Sequence, residues 1–267
     1  MIYMNKLTIY IPIHQINDET SNLLDRAVES FVKCNNHAVS QGYPSANICF
    51  IGPSDVLRKI KQYNIETLKY VNSENSDFCS QVNNAAKNCE TDYFSILELD
   101  DEYTESWFIN FYIYNSSYPN VSVYLPLTEL YVNNGDSNTI IGYKNEAVWA
   151  TSFSEELGYI DLESLENYGD YNLTGGIFKV SDFIDEGGLK ESMKLTFWYE
   201  FLMRMCYNSK QVFVIPKVGY NHYVNRKESL SSFYNENMKP DEAQWWIDLA
   251  HKEYFFKKDR NKTYDGE

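Results

Sequence analysis

Four short apolar runs, each followed by a stretch with helical spacing, dominate the first hundred residues. The runs are Leu7 to Ile13, Asn47 to Ile51, Leu68 to Val71 and Tyr93 to Leu99. Between the first two, Leu23, Leu24, Ala27, Val28, Phe31 and Val32 recur at the spacing of a helix face, after the turn-prone Asn17-Asp18. Gly52-Pro53 stops the second run, and Ser54 is placed to cap a helix carrying Val56, Leu57 and Ile60. Ser76 or Asp77 is placed to cap the next, with Phe78, Val82, Ala85 and Cys89 inward. Strand alternating with helix predicts an α/β chain whose central sheet is mostly parallel and covered on both faces.

Beyond residue 101 the pattern is less regular. A helix is predicted over Ser106–Tyr114, a strand over Val121–Leu125, and a polar Gly- and Asn-bearing segment over Asn133–Asn145. Ser181 is placed to cap a short helix ending at Gly187-Gly188; a helix over Leu195–Tyr207 and a strand over Gln211–Ile215 follow. Pro240–Lys258 reads as a last amphipathic helix with Pro in its first turn. A chain of 267 residues can bury one sizeable core. One domain is expected: residues 1–115 as a binding half, 116–235 as its elaboration, and 236–267 as a C-terminal helix.

The net charge of −15 bears on partners. Nucleic-acid binders present basic faces that neutralise phosphates, so DNA is disfavoured as a partner. The one basic cluster, Lys257 to Lys262, suits a solvated helix end. No stretch reaches the roughly 20 apolar residues that cross a bilayer. The N-terminus runs into a strand pattern without a signal-peptide profile, so a cytosolic location, bacterial or that of a phage-infected host, is expected. Cys34, Cys49, Cys79, Cys89 and Cys206 form no C-x-x-C pair and read as buried reduced thiols. His37 and His251 read as surface residues, and Trp245-Trp246 and Phe255-Phe256 as core packing rather than sugar platforms.

Glu98, Asp100 and Asp101 stand where the fourth apolar run meets a loop. In open α/β sheets ligands bind beyond the carboxyl ends of the strands. Clustered carboxylates repel one another unless a cation or hydrogen-bond donors compensate. A hard divalent ion takes one or two carboxylates and completes its shell with substrate phosphates. Two readings stand side by side: a metal site and a solvated acidic turn.

With these residues in view the chain resembles the family 2 glycosyltransferases and their GT-A-fold relatives, over roughly residues 7–230. Thr8 to His14 is similar to the family's opening strand, whose Pro-containing end borders the nucleoside pocket. Phe50 to Asp55 resembles the second strand's end, where an Asp meets the base. Asn83-Asn84-Ala85-Ala86 followed by Thr91 to Asp101 resembles the Asn-containing helix and the acidic strand end. Gly187-Gly188, Tyr199 to Arg204, Val214-Ile215-Pro216 and Tyr220 to Arg226 resemble the acceptor-side helix and the closing His/Arg segment.

The resemblance implies a GT-A fold, a nucleotide-diphosphate sugar donor (a UDP-sugar is expected), and a Mn²⁺ or Mg²⁺ ion. It also implies a base for the acceptor hydroxyl. By this match Asp100 and His222 are the metal residues, and Pro12, His14, Asp55, Asn84, Glu98, Asp101 and Arg226 the nucleotide-sugar residues. Two departures stand out: Glu98 replaces an Asp, and Phe197-Trp198 fall where the family has its Glu-Asp pair. Glu200 or Glu191 is the candidate base instead. Against these roles, His222 also reads as a core histidine, and Glu200 as the partner of Arg204 one turn on.

The leading expectation is a metal-dependent hexosyl- or pentosyltransferase acting on a hydroxyl of a glycan, lipid or protein. Alternatives are a phage-type enzyme acting on modified bases in DNA, and a non-catalytic sugar or nucleotide binder on the same fold.

Overall fold

The computed structural model describes residues 6–73, 77–133, 138–151, 156–224, 226, 229, 236–242 and 244–252. Its first strand, β1 (Leu7–Pro12), is buried along its whole length, as expected of a strand covered on both faces. α1 (Asp18–Ser40) starts at Asn17. The Asn17 Oδ1 accepts from the Thr20 amide at 2.9 Å, and the Thr20 hydroxyl accepts from the Asn17 amide at 2.8 Å, a reciprocal capping box. Leu24, Ala27, Val28, Phe31, Cys34 and Ala38 then lie on one buried stripe.

β2 (Asn47–Gly52), a 3₁₀ turn (Ser54–Val56), the short α2 (Leu57–Ile60), β3 (Leu68–Asn72), α3 (Phe78–Lys87) and β4 (Tyr93–Ile96) follow in the predicted alternation. β1 pairs in parallel with both β2 and β4, and β2 with β3. Asp77, not Ser76, caps α3 through the Ser80 amide at 2.8 Å; Ser76 lies outside the described residues. Ser54 caps nothing, because the chain enters the turn from Pro53 with no side-chain hydrogen bond.

The second half comprises β5 (Glu102–Tyr103), α4 (Trp107–Ser117), β6 (Val123–Asn133), β7 (Asn138–Lys144), a 3₁₀ turn (Glu146–Trp149), β8 (Tyr159–Ile160), α5 (Leu162–Asn167), β9 (Ile177–Lys179), α6 (Val180–Asp185), α7 (Phe197–Tyr207) and β10 (Val212–Val224). The sheet order is β3-β2-β1-β4-β9-β6-β10-β5, with β7 beside β6 and β8 beside β10. β9 runs antiparallel to both β4 and β6, while β10 is parallel to β6. The sheet is thus mixed, with a parallel core.

Several expectations are corrected here. The polar stretch over Asn133–Asn145 is largely strand: β7 pairs antiparallel to β6 from Thr128↔Lys144 to Asn133↔Asn138. Backbone pairing outweighs its polar composition. β10 does not stop at Ile215 but runs on to Val224, through register shifts at Val218. β4 ends at Ile96 and not at Leu99. Ser181 is no cap; α6 begins at Val180, with Lys179 before it.

Two apolar clusters sandwich the sheet. One holds Phe31, Trp107, Phe108, Phe111 and Tyr220 beside α1, α2 and α4. The other holds Val82, Phe94, Phe178, Phe183 and Phe201 beside α3, α6 and α7. Residues 240–242 and 244–252 are helical and dock on α7: Ala250 is fully buried, and the Trp246 carbonyl accepts from Thr196 at 3.3 Å. Phe255-Phe256 and the Lys257 to Lys262 cluster lie outside the described residues. Among the described residues no helix is long and apolar enough to cross a membrane. Cys34, Cys49 and Cys79 are buried, Cys89 and Cys206 half-buried, and all five are thiols.

Candidate active site

Register fixes which loops meet. Tyr10 of β1 lies beside Ile96 of β4, and the Leu97 amide donates to the Tyr10 carbonyl at 2.9 Å. Pro12 lies beside Ile51, one residue before Gly52. The segments after β1, β2 and β4, bearing His14, Asp55 and Glu98, therefore leave the same edge of the sheet. This is the carboxyl edge at which α/β folds bind ligands. Pro12 is buried, whereas His14 and Asp55 are exposed. Gly52 is needed where it stands: a Cβ there would lie 2.5 Å from the Ile13 carbonyl oxygen.

The acids after β4 do not face bulk water. Asp100 is 8% exposed and Asp101 is fully buried. The Arg226 Nε donates to Asp100 Oδ2 at 2.7 Å. Asp101 Oδ2 lies 2.8 Å from His222 Nδ1, and its Oδ1 accepts from the Tyr223 amide at 2.8 Å. The Glu98 amide donates to the Tyr220 hydroxyl at 3.1 Å. Because β10 runs on to Val224, between β6 and β5, it delivers Tyr220, His222 and Tyr223 to one end of the acidic turn. Each aspartate thus has a cation supplied by the chain, and the simple acidic-turn reading does not describe them.

Burial, then Asp101 and Asp100, push the half-buried Glu98 carboxyl up to about 8, against the pull of His222 and Arg226. Burial also raises Asp101, opposed by His222. For His222 burial favours the neutral ring, but Asp101, with Glu98 and Asp100 behind it, outweighs that and lifts the imidazole to about 9. At neutral pH these shifts favour a protonated Glu98 beside a protonated His222 ring.

A metal needs donors that converge. Among the described residues no three His, Cys, Asp or Glu side chains are grouped to hold an ion. An all-protein cage is thus not built here. The cluster offers two donors, Asp100, one oxygen of which accepts from Arg226, and His222, whose Nδ1 is engaged by Asp101, so a ligand's own oxygens would have to complete any shell. A carboxylate behind a ligating imidazole is the usual outer support of such a histidine.

The other expected residues lie elsewhere. Asn84 turns toward the far end of α3, accepting from Asn88 Nδ2 through both its carbonyl (2.8 Å) and its Oδ1 (2.7 Å). Its neighbours point to the edge instead. Gln81, fully buried, donates to the Ile13 carbonyl at 3.2 Å, and Asn83 reaches Leu189. Helical phase, four residues between Asn84 and Asn88, separates these roles, and it could have been read from the sequence.

Glu200 is fully buried on α7 between Lys190 (2.9 Å) and Arg204 (2.7 Å). Glu191 is exposed, with its Oε1 accepting from Asn83 at 3.3 Å. Phe197 and Trp198 open α7 and pack into an aromatic group: Trp198 stacks on Phe178 at 5.5 Å, and both approach Phe78. Trp245 is 52% exposed, whereas Trp246 packs against the α3/α7 core. His251 departs from its surface expectation, as its Nε2 meets the Tyr199 hydroxyl at 2.6 Å. His37 stays at the surface, with Nδ1 3.3 Å from the Glu105 carbonyl.

No family model and no curated protein matches this sequence. Solved structures do match its fold. S. aureus TarS 1–349 in complex with UDP-GlcNAc superposes with a TM-score of 0.63 at 15% identity, over 85% of this chain and 61% of that one. Its complex with UDP gives 0.60 at 16% identity, over 86% and 62%. TarS in a longer form gives 0.59 at 15%, over 86% of this chain and 38% of that one. The chain spans about three fifths of TarS 1–349. At such identity the likeness concerns architecture, and in architecture the chain has the GT-A fold.

Proposed function

We propose that this chain moves a sugar from a nucleotide-diphosphate sugar to an acceptor hydroxyl on a glycan, lipid or protein. The observation that carries the reading is the Asp100–Arg226 and Asp101–His222 pairing at the carboxyl edge of a GT-A sheet. The neighbouring fold in TarS is solved with UDP-GlcNAc and with UDP, which supports a UDP-sugar as donor.

In the reaction the acceptor oxygen bonds to the anomeric carbon as the bond from that carbon to the diphosphate oxygen breaks. The hydroxyl proton passes to a carboxylate, and negative charge collects on the departing diphosphate. Arg226 and His222 are the cations available to meet that charge as it forms. A Mn²⁺ or Mg²⁺ ion held by Asp100 and by His222 in its neutral form, the ring proton leaving as the metal binds, would take over the imidazolium's role and supply Lewis-acid stabilisation of the same oxygens. Of the two candidate bases, Glu191 has the exposure that proton transfer to an acceptor requires. Glu200 is held between two cations.

A second reading, a sugar or nucleotide binder without transfer, is favoured by Phe197 and Trp198 packing where a Glu-Asp pair is expected. One experiment tests both. Thermal shift with UDP-GlcNAc, with and without Mn²⁺, should show metal-dependent stabilisation, because a ligand of the native state raises apparent stability. The Asp100→Ala variant should lose it. Release of UDP alongside binding supports the transferase, and binding without release supports the binder. No shift with any UDP-sugar overturns both.

A further inference from the structure

We infer that Arg26, on α1, is a positioning residue that fixes the acidic turn Asp100-Asp101-Glu102 for donor binding; this rests on the proposed function. Arg26 comes from 74 residues upstream, yet its Nη2 donates to the Asp100 carbonyl at 2.8 Å. Its Nε lies 2.8 Å from Glu102 Oε1, an ion pair without the alignment of a hydrogen bond, and the guanidinium sits 4.3 Å from the centre of the Tyr223 ring. The same Tyr223 donates its amide to Asp101 and its hydroxyl to Glu102, at 2.8 and 3.0 Å. Arg26 and Tyr223 therefore clamp the turn from two sides and rest on each other.

The chemistry of the clamp requires arginine. The guanidinium donates to a carbonyl, pairs by charge with a carboxylate and lays its flat face on an aromatic ring; a compact ammonium has no flat face to lay there. The turn bears Asp100, whose carboxylate must hold its direction relative to Arg226 and His222 when a diphosphate arrives. The clamp is not the main anchor of β5 on α1. The Tyr103 amide donates to Ser30 at 3.1 Å, and β5 pairs with β10 at Tyr103↔Tyr220 and Glu102↔Asn221. Removing the Arg26 side chain should therefore loosen the turn and leave the fold standing.

The test compares the full chain with Arg26→Ala and Arg26→Lys by titration calorimetry with UDP and Mn²⁺, and by the imidazole NMR signals of His222 without ligand. Loss of an outer support costs about 10- to 100-fold in affinity. Both variants should weaken UDP binding at least about tenfold on that scale and shift the His222 signals, with melting curves that remain cooperative. Failure of Lys to restore binding distinguishes the planar fork from a charge effect. Wild-type affinity and unmoved His222 signals in both variants overturn the inference. If the wild type itself binds no UDP, the proposed function falls, and the His222 signals alone decide whether Arg26 holds the turn. Should Arg26→Ala fail to fold, Glu102→Gln takes its place: a moved His222 signal supports the clamp and an unmoved one overturns it.

Discussion

Asn83 binds Leu189 as a neighbouring strand would. Its Oδ1 accepts from the Leu189 amide at 2.7 Å, and its Nδ2 donates to the Leu189 carbonyl at 2.8 Å. The contact joins α3 to the loop that carries Glu191 and leads into α7. Gly188 makes it possible: its φ is +68°, and a Cβ there would lie 2.4 Å from Asn83 Oδ1. Asn83→Ala should cost about 2 kcal/mol, two hydrogen bonds at roughly 1 each. Gly188→Ala should cost at least as much through left-handed strain and collision with Asn83. Urea unfolding measures both, and amide exchange at Leu189 should accelerate in each. A protected Leu189 amide in Asn83→Ala would show that the loop is held some other way.

Trp198 occupies the place of an expected acid, and its surroundings explain why no acid could work there unaided. It is stacked on Phe178 and edge-on to Phe201 and Phe78, against the α3/α7 core. Trp198→Ala should destabilise the protein by about 3 kcal/mol, at the low end of large-to-small aromatic losses because the residue is only half-buried. Trp198→Asp should be worse, since it adds an unpaired carboxylate against an apolar cluster. It should also fail to raise sugar transfer. A gain of activity in Trp198→Asp would mean that position 198 faces the acceptor after all.

How far the sequence could be read follows from which interactions are local. β1 to β4 and their helices were legible because buried strands read as apolar runs and α1 carries its own stripe of Leu24, Ala27, Val28 and Phe31. The acidic turn was legible for the same reason: it ends an apolar strand. The β6–β7 hairpin was not, because the exposed β7 lacks the apolar alternation of a half-buried strand, although Asn138 pairs with nearby Asn133. Nor was the length of β10, because Asn221 owes its strand conformation to Glu129 and Glu102, far away in sequence. The short β9 was hidden as well, being three residues that enter the sheet antiparallel between β4 and β6. At the site the residue types stood out, but their pairing did not. Nothing local couples Asp101 to His222 or Asp100 to Arg226, separated by 121 and 126 positions. Arg26 had no local signature either, since its role depends on α1 passing beside β5.

The two candidate bases are separable by experiment. Glu191 is exposed and, among the described residues, meets Asn83, so Glu191→Gln should leave the melting temperature nearly unchanged. If it takes the acceptor proton, the variant should lose about 10²- to 10⁴-fold in turnover, with little change in UDP-GlcNAc affinity. Glu200 is buried between Lys190 and Arg204, and Arg204 also donates to the Gly188 carbonyl at 2.8 Å. Glu200→Gln should destabilise by about 1–3 kcal/mol, because it removes the charge from a buried carboxylate that pairs two partly exposed cations. A Glu200→Gln variant that is stable yet inactive would reverse the two roles.

Asp182 gives the fold a dependence on acid whose sign can be worked out. On α6, its carboxylate accepts from the Ser122 hydroxyl at 2.7 Å and from Lys210 Nζ at 3.2 Å, with Lys179 Nζ 3.6 Å away. Burial raises its pKa, but the Ser122 and Lys210 hydrogen bonds, with the nearby lysine charges, outweigh that and hold the carboxyl below its usual range. A carboxylate with a depressed native pKa stabilises the fold fully above its unfolded pKa of about 3.9, and the benefit disappears as pH falls through the native value. Asp182→Asn should therefore cost about 1.5–3 kcal/mol at pH 7, the range for hydrogen bonds to charged groups. The gap between wild type and variant in urea unfolding should be constant from pH 7 to about 5 and narrow steadily below about 4. A gap that widens in acid would mean that Asp182 is protonated in the native protein and that the lysines find their counter-charge elsewhere.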